Sequence, residues 1–396
     1  MKITSAFDGG NIDVLAADSP DDIRLKIRVD NGSKHFQWFF FRASGVGKQA
    51  LRMRLQNADK ASFPDGWIDY AAVASYDRKH WFRVPTSYAE GELTIEHTPD
   101  ADAVYYAYFA PYSQERHADL VAQTQLVDGV RLEVLGSSLD GRDLDLLVIG
   151  DPAKDTQPAK KKKKKKNKKK KICWIIARQH PGETMAEWLI EGLLGRLLDP
   201  EDPIARRLRE VAVFYVVPCM NPDGAFRGHL RVNATGANLN REWLEPTAER
   251  SPEVLLVRQR MAETGVDFFL DVHGDEGLPY NFIAGPDGIP ALTPELIALQ
   301  KDFESALRRA SPDFQSEHGY PAAAPGEANM TMATNYIAET HGCLSMTLEQ
   351  PFKDAAGTPL PEVGWSPARC QKLGVAILDA LYVVRDRLCG SGSSGK

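Results

Sequence analysis

Four short stretches carry side chains that could act together on one bond. They are His180 and Glu183 in HPGE, Asn221 to Gly224 in NPDG, His273 in DVHGDEG, and Glu349 in MTLEQPF. Each follows a run of apolar residues (ICWIIARQ, VAVFYVVPCM, VDFFLDV and CLSMTL) of the kind that forms a fully buried strand. If these strands run parallel, all four sets of groups converge at the carboxyl edge of one sheet, where open α/β sheets bind ligands in a crevice. His180, Glu183 and His273 then match the His₂Glu donor set of catalytic zinc sites, in which the fourth position is left to water. HPGE is short enough for imidazole and carboxylate to reach one point from the end of a rigid strand. His229, His318 and His341 compete for the role. Of these, His229 and His341 lack a nearby acid in a comparable strand-end setting and are read as surface or supporting groups.

The elements that must position these groups fall into two textures. Residues 1 to about 115 hold short alternating or aromatic runs (IRLKIRVD, FQWFFFRA, QALRMRLQ, ELTIEHT, VYYAYFA) separated by Gly, Asp, Pro and Asn clusters. That spacing predicts an all-β antiparallel sandwich without a helix of consequence. Beyond it, apolar runs alternate with helical patterns such as TMAEWLIEGLLGRLL, SPEVLLVRQRMAET and TPELIALQKDFESALRRA. This predicts an α/β domain over 116–388 with a mixed, largely parallel central sheet flanked by helices. Residues 389–396, which include GSGSSGK, read as a flexible linker-like tail.

A chain of 396 residues with 43% hydrophobic residues has room for more than one core. Its five cysteines (Cys173, Cys219, Cys343, Cys370 and Cys389) form no CxxC pair, which fits reduced thiols better than a disulfide framework. No basic flank with an apolar core opens the chain, and no apolar run reaches the ~18 residues of a bilayer span. A cytoplasmic protein without a membrane partner is expected. Eleven lysines lie between Lys160 and Lys171, interrupted only by Asn167; outside them 37 basic residues stand against 54 acidic ones, an excess of 17 negative charges. The run reads as a solvated loop, not a nucleic-acid site. It lies between LDLLVIG and ICWIIAR, read as two neighbouring strands, so it belongs where the second begins. His180 is about seven residues or ~23 Å further along.

HPGETMAEWLIEGLL, NPDGAFRGHLRVNATGANLNREW, DVHGDEG and MTLEQPF, in that order, resemble the zinc carboxypeptidases. The likeness is greatest to their cytosolic subfamily, in which a β-sandwich precedes the catalytic domain; YFAPYS at 108–113 is similar to the subfamily's junction. The resemblance covers roughly residues 35 to 385. It implies a hydrolase that removes the C-terminal residue of peptides or proteins, often an acidic one, with one zinc ion per chain. His180, Glu183 and His273 would be the metal ligands, and Asn240 and Arg241 would hold the substrate's terminal carboxylate. Arg231 would stabilise the oxyanion, and Glu349 would activate the attacking water. Arginine suits carboxylate binding because its planar fork makes two parallel hydrogen bonds. A metal that acidifies water and polarises a carbonyl removes the need for a protein nucleophile, and no Gly-x-Ser-x-Gly elbow is present.

Where many relatives have an aspartate two residues before the asparagine of the carboxylate clamp, this chain has Asn238. Its amide oxygen can still accept a hydrogen bond from a liganding histidine, though it raises ligand basicity less than a carboxylate does. Tyr320 and Tyr336 are both candidates for a tyrosine that closes over substrate. Two other readings stand beside the first: a zinc deacylase of small N-acyl amino acids, resembling the aspartoacylase group, and a catalytically idle binding protein. NPDG together with NLNREW favours the carboxypeptidase, and the presence of every ligand and the base argues against idleness.

Overall fold

The computed structural model describes residues 1–150 and 169–388; Lys160 to Lys168 and the tail from 389 lie outside the described residues. The amino-terminal part holds β1 (Lys2–Thr4), β2 (Asp13–Ala16), β3 (Ile23–Lys26), β4 (Phe40–Ser44), β5 (Leu51–Leu55), β6 (Val73–Ser75), β7 (Phe82–Arg83), β8 (Thr86–Ala89), β9 (Glu92–His97) and β10 (Ala103–Ala107). They make two five-stranded sheets, in the orders β1-β4-β10-β6-β7 and β2-β3-β5-β9-β8. All pairings are antiparallel except that of β3 with β5. Alternation drives the packing: in β3 and β5 every second residue is buried, including Ile23, Leu25, Leu51, Met53 and Leu55.

The remainder is α/β. Its strands are β11 (Val130–Ser137), β12 (Asp143–Ile149), β13 (Lys171–Ala177), β14 (Ala212–Val217), β15 (Phe268–Val272), β16 (Phe282–Ala284) and β17 (Leu344–Glu349). They form one sheet in the order β11-β12-β14-β13-β15-β17-β16. The four expected strands, β14, β13, β15 and β17, are consecutive and mutually parallel, and antiparallel strands flank them. The two strands that bracket the lysine run share this sheet but are not neighbours, because β14 lies between them. The chain crosses from β13 through two helices and returns parallel to it, which places β14 in the gap. The last residue of the run, Lys171, opens β13, at the end of the strand away from His180.

The helices are α1 (Gln114–Thr124), α2 (Met185–Leu197), α3 (Pro203–Val211), α4 (Pro222–Arg227), α5 (Pro252–Thr264), α6 (Pro294–Ala310), α7 (Ala333–His341) and α8 (Pro367–Val384). Several start where the local chemistry dictates. Ser113, Asp202 and Thr293 accept backbone N–H bonds at the helix starts, and proline occupies the first turn of α3, α4, α5, α6 and α8. The parallel strands are buried except at Lys171, so each sheet face needs its own cover. Cys173, Ile175 and Ala177 of β13 pack with α2, α6 and α8, while Ile172, Trp174 and Ile176 pack with α5 and α7. Helices α2 and α8 approach unusually closely. A Cβ on Gly192 would sit 2.2 Å from the Gln371 carbonyl oxygen, and one on Gly374 2.2 Å from that of Leu189, so both positions need glycine. The core of the sandwich runs on without a break into the α2/α6/α8 side of the sheet.

Candidate active site

β13 ends at Ala177, and the chain then turns through Arg178, whose φ of 59° lies in the left-handed region that residues other than glycine rarely adopt. The buried Arg178 guanidinium holds that turn. It donates to the Pro181 carbonyl at 2.8 Å and the Tyr112 carbonyl at 3.0 Å, and pairs with Glu187 of α2. The far side of the turn is fixed by Ala110, whose carbonyl accepts from Thr184 Oγ1 at 2.9 Å and Trp188 Nε1 at 3.0 Å. HPGE is thus held rigidly between β13 and α2.

His180, Glu183 and His273, all buried, form the one group of donors among the described residues arranged to hold a metal ion, with ligand atoms within 4.8 Å of one another. Glu183 Oε1 is 2.6 Å from His180 Nδ1, and its Oε2 is 2.8 Å from His273 Nδ1. The two Nδ1 atoms are 3.2 Å apart. Both ring nitrogens that face inward are therefore Nδ1, and each Nε2 has a supporting oxygen. His180 Nε2 is 3.0 Å from Asn238 Oδ1. His273 Nε2 is 2.8 Å from Asp271 Oδ2, in a contact bent away from hydrogen-bond geometry. Asp271 is itself tied down by Gln179 Nε2 at 2.6 Å, and Gln179 accepts from Trp243 Nε1 at 2.8 Å. Nitrogen and carboxylate donors this close, buried and backed by oriented acceptors, fit zinc.

Electrostatics point the same way. Burial and the Arg231 charge push the His180 imidazole down to about 3, so it is neutral and its lone pair is free to bind. Burial opposes ionisation of Glu183, but the two imidazoles outweigh it and hold the carboxyl below its usual range. Burial would also lower His273, yet Asp271 and Glu183 raise it well above the ordinary value. Negative charge at this point attracts a cation, whether proton or metal.

Glu349 ends β17, is 7% exposed, and has an Oε2 without a hydrogen-bond partner. Burial first, and then the charges of Glu183, Asp275 and Glu276, keep its carboxyl well above the normal value. Burial, and then the Arg231 charge, lower the pKa of Arg241, and neither arginine forms an ion pair with a carboxylate among the described residues. Asn240 is buried, and its Oδ1 accepts the first backbone N–H of α7, from Ala333, at 2.9 Å. The two candidate tyrosines lie in different surroundings. Tyr320 is 48% exposed, donates to Asp275 Oδ2 at 2.5 Å and lies within the fields of Glu349, Glu276 and Arg241. Tyr336 packs under the Arg258 guanidinium, 4.2 Å from the ring centre, between α5 and α7.

The other histidines lie elsewhere. His229 is buried against the sandwich, His318 stacks on Tyr280 at 4.3 Å, and His341 ends α7. The NPDG residues serve the scaffold. Asn221 caps α4 and donates to the Gln179 carbonyl at 3.0 Å, while Asp223 accepts from Ser138, Asp140 and Arg142. Sequence reasoning missed Arg178, Asp271 and Glu276. Asp271 had a signal, because it lies two residues before His273 and so on the same face of the strand. Glu276 is buried, and burial pushes it up to about 8 although Arg231 opposes the shift.

Comparison with known proteins matches two family profiles. Residues 3–109 match one described as cytosolic carboxypeptidase N-terminal domain, and residues 121–369 match one described as zinc carboxypeptidase. A metallo-carboxypeptidase from Burkholderia cenocepacia is 49% identical, with a TM-score of 0.92 over 98% of this chain and 99% of its own. A metallo-carboxypeptidase from Pseudomonas aeruginosa, solved with (2-guanidinoethylmercapto)succinic acid, is 46% identical with a TM-score of 0.92, covering 98% of this chain and 100% of that one. Cytosolic carboxypeptidase 6 of Mus musculus is 29% identical over 72% of this chain, a stretch that spans 55% of the mouse protein.

Proposed function

We infer the reaction from one premise: this chain belongs to the zinc carboxypeptidase family, hydrolases of peptide bonds. We read its cleft as the place where the C-terminal residue of a peptide or protein is removed. One observation carries the reading. Arg231 and Arg241, neither in an ion pair with a carboxylate among the described residues, lie within range of each other's charge, and the Arg231 charge also reaches His180 in the buried donor set of His180, Glu183 and His273. A peptide C-terminus supplies a carboxylate with which Arg241 can pair. The compound bound by the Pseudomonas relative, a succinic acid, is itself a carboxylate ligand.

In this reading His180, Glu183 and His273 hold one zinc ion per chain. When bound, the ion polarises the scissile carbonyl and makes the attacking water more acidic. Asn240 and Arg241 grip the terminal carboxylate, which fixes the scissile bond relative to the donors. Glu349 takes the proton of the water at Oε2 and returns it to the leaving amine. A cation beside it offsets the carboxylates that otherwise favour its protonated form. Arg231 meets the negative charge that develops on the carbonyl oxygen, and Tyr320 closes the cleft from the solvent side. We place the divide between sandwich and catalytic domain near residue 115. The described cysteines, Cys173, Cys219, Cys343 and Cys370, are free thiols, which supports a reducing, cytoplasmic setting.

The test compares a peptide with its C-terminal amide. The free acid should be cleaved one residue from its end, and the amide far more slowly. Equal hydrolysis of the two would replace this reading with an endo-acting zinc hydrolase. A panel ending in acidic, basic and neutral residues reports the preference. N-acyl amino acids belong in the same panel, since cleavage of these alone would indicate a deacylase.

A further inference from the structure

Arg231 lies in the loop 228–238 that follows α4, and the sandwich domain, two hundred residues earlier in the chain, holds most of that loop. Asp30, 1% exposed, accepts three successive backbone N–H groups: Leu230 at 2.8 Å, Arg231 at 2.7 Å and Val232 at 3.3 Å. Asn11 Nδ2 donates to the Gly228 carbonyl at 2.8 Å. Asn31 donates its backbone N–H to His229 Nε2 at 3.3 Å and its side-chain amide to the Ala234 carbonyl at 2.5 Å. The two backbones touch where Gly32 meets Gly236: a Cβ on Gly236 would lie 2.3 Å from the Gly32 carbonyl oxygen. The side chain is held as well. The Arg231 guanidinium lies over the ring of Phe63, 5.2 Å from its centre, and Phe63 too belongs to the sandwich.

Two domains can adhere through apolar contact alone, as these do where Tyr108 stacks on Phe352 at 4.4 Å. A buried carboxylate adds nothing to such adhesion and is costly unless its oxygens are bonded. Here burial pushes the Asp30 carboxyl up to about 7, and the three N–H bonds pull against that shift. What this arrangement supplies is geometric. Three bonds from one rigid group to consecutive residues fix both the position and the twist of the backbone that carries Arg231.

We propose that the β-sandwich is a working part of the active site, in which Asp30 is a positioning residue that aims Arg231 at the scissile carbonyl. The proposal rests on the reading of Arg231 given above. Displacement of a catalytic group by about 1 Å costs roughly 10²-fold in rate.

The experiment is a double-mutant cycle in the full chain with zinc bound, measuring kcat, KM and zinc content on one good peptide substrate. Asp30→Asn should lower kcat by roughly 10- to 100-fold, with KM within about twofold and zinc retained. Combined with Arg231→Ala, it should add nothing to the loss from Arg231→Ala alone. A general loosening of the fold would instead multiply the two losses and lower zinc content. Phe63→Leu removes the ring beneath the guanidinium but leaves the backbone clamp, and decides the matter if Asp30→Asn does not fold. It should lower kcat at least about threefold and also vanish in the Arg231→Ala background. Wild-type kcat in the folded Asp30 variant, or multiplying losses, overturns the proposal while leaving the role of Arg231 intact. Wild-type kcat in Arg231→Ala alone removes that role and the proposal with it.

Discussion

The amide oxygen of Asn238 lies 3.0 Å from Nε2 of His180. His273, the other imidazole of the donor set, has the carboxylate of Asp271 in the corresponding place, at 2.8 Å. The two candidate ligands are therefore unequally supported, with His180 the weaker base. Asn238 also accepts the backbone N–H of Asn240 at 3.1 Å, a bond that aspartate would keep. Asn238→Asp should tighten zinc binding by roughly tenfold, within the range that such supporting partners control. Competition with a chromophoric chelator measures it; unchanged or weaker affinity would mean that the amide does not limit the site.

Glu349→Gln should fold and retain zinc but lose about 10²–10⁴-fold in turnover, because glutamine keeps the shape and lacks a basic oxygen. His273→Ala is the contrasting variant and should lose the ion itself. Metal analysis alongside initial rates separates the two, and near wild-type turnover in Glu349→Gln would mean that another group accepts the proton.

The Arg231 charge acts on Arg241, and a generic basic patch would make the two interchangeable. Arg241, beside Asn240, should contact the substrate carboxylate before and during reaction, so Arg241→Ala should mainly raise KM. Arg231 should meet charge that exists only after attack, so Arg231→Ala should lower kcat by about 10²–10³-fold with little change in KM. Blocking the substrate as an amide should cost little more in Arg241→Ala yet remain costly in Arg231→Ala. Identical kinetic signatures for the two variants would contradict this division.

His117 of α1 links β12 and α2, 2.8 Å from Glu187 and 3.2 Å from Asp145. Burial alone would lower its pKa, but these two carboxylates outweigh it and raise it to about 9. A folded value above the unfolded ~6.5 means that the folded protein holds this proton more tightly. The stabilisation is complete below pH ~6.5 and is lost as pH rises through about 9, an effect on the order of 3 kcal/mol. Denaturant midpoints at pH 6, 7.5 and 9 should fall more steeply for wild type than for His117→Phe. A constant difference between the two would show that folding leaves the proton affinity of His117 unchanged.

Much of the site was legible in the sequence because its signals are local. Continuous apolar runs mark strands buried on both faces, and in β13, β14, β15 and β17 the polar residues follow at the end where parallel strands open a crevice. HPGE sets two donors three residues apart, and strand direction delivers His273 and Glu349 to the same edge. Helices α2, α5 and α6 fall within the stretches whose period of 3.6 announced them.

What the tertiary structure alone decided depends on residues that no short-range pattern links. β14 lies between β12 and β13 because a crossover, not sequence adjacency, sets strand order. Tyr320 and Tyr336 are the same residue type, and only the path of the chain puts one beside Asp275 and the other beneath Arg258. The strained Arg178 turn closes through Tyr112, 66 residues away, and Asp30 reaches Arg231 across 201. Such contacts are fixed by the packing of one domain on the other, and a linear pattern carries no record of which distant backbone amides a buried carboxylate will find.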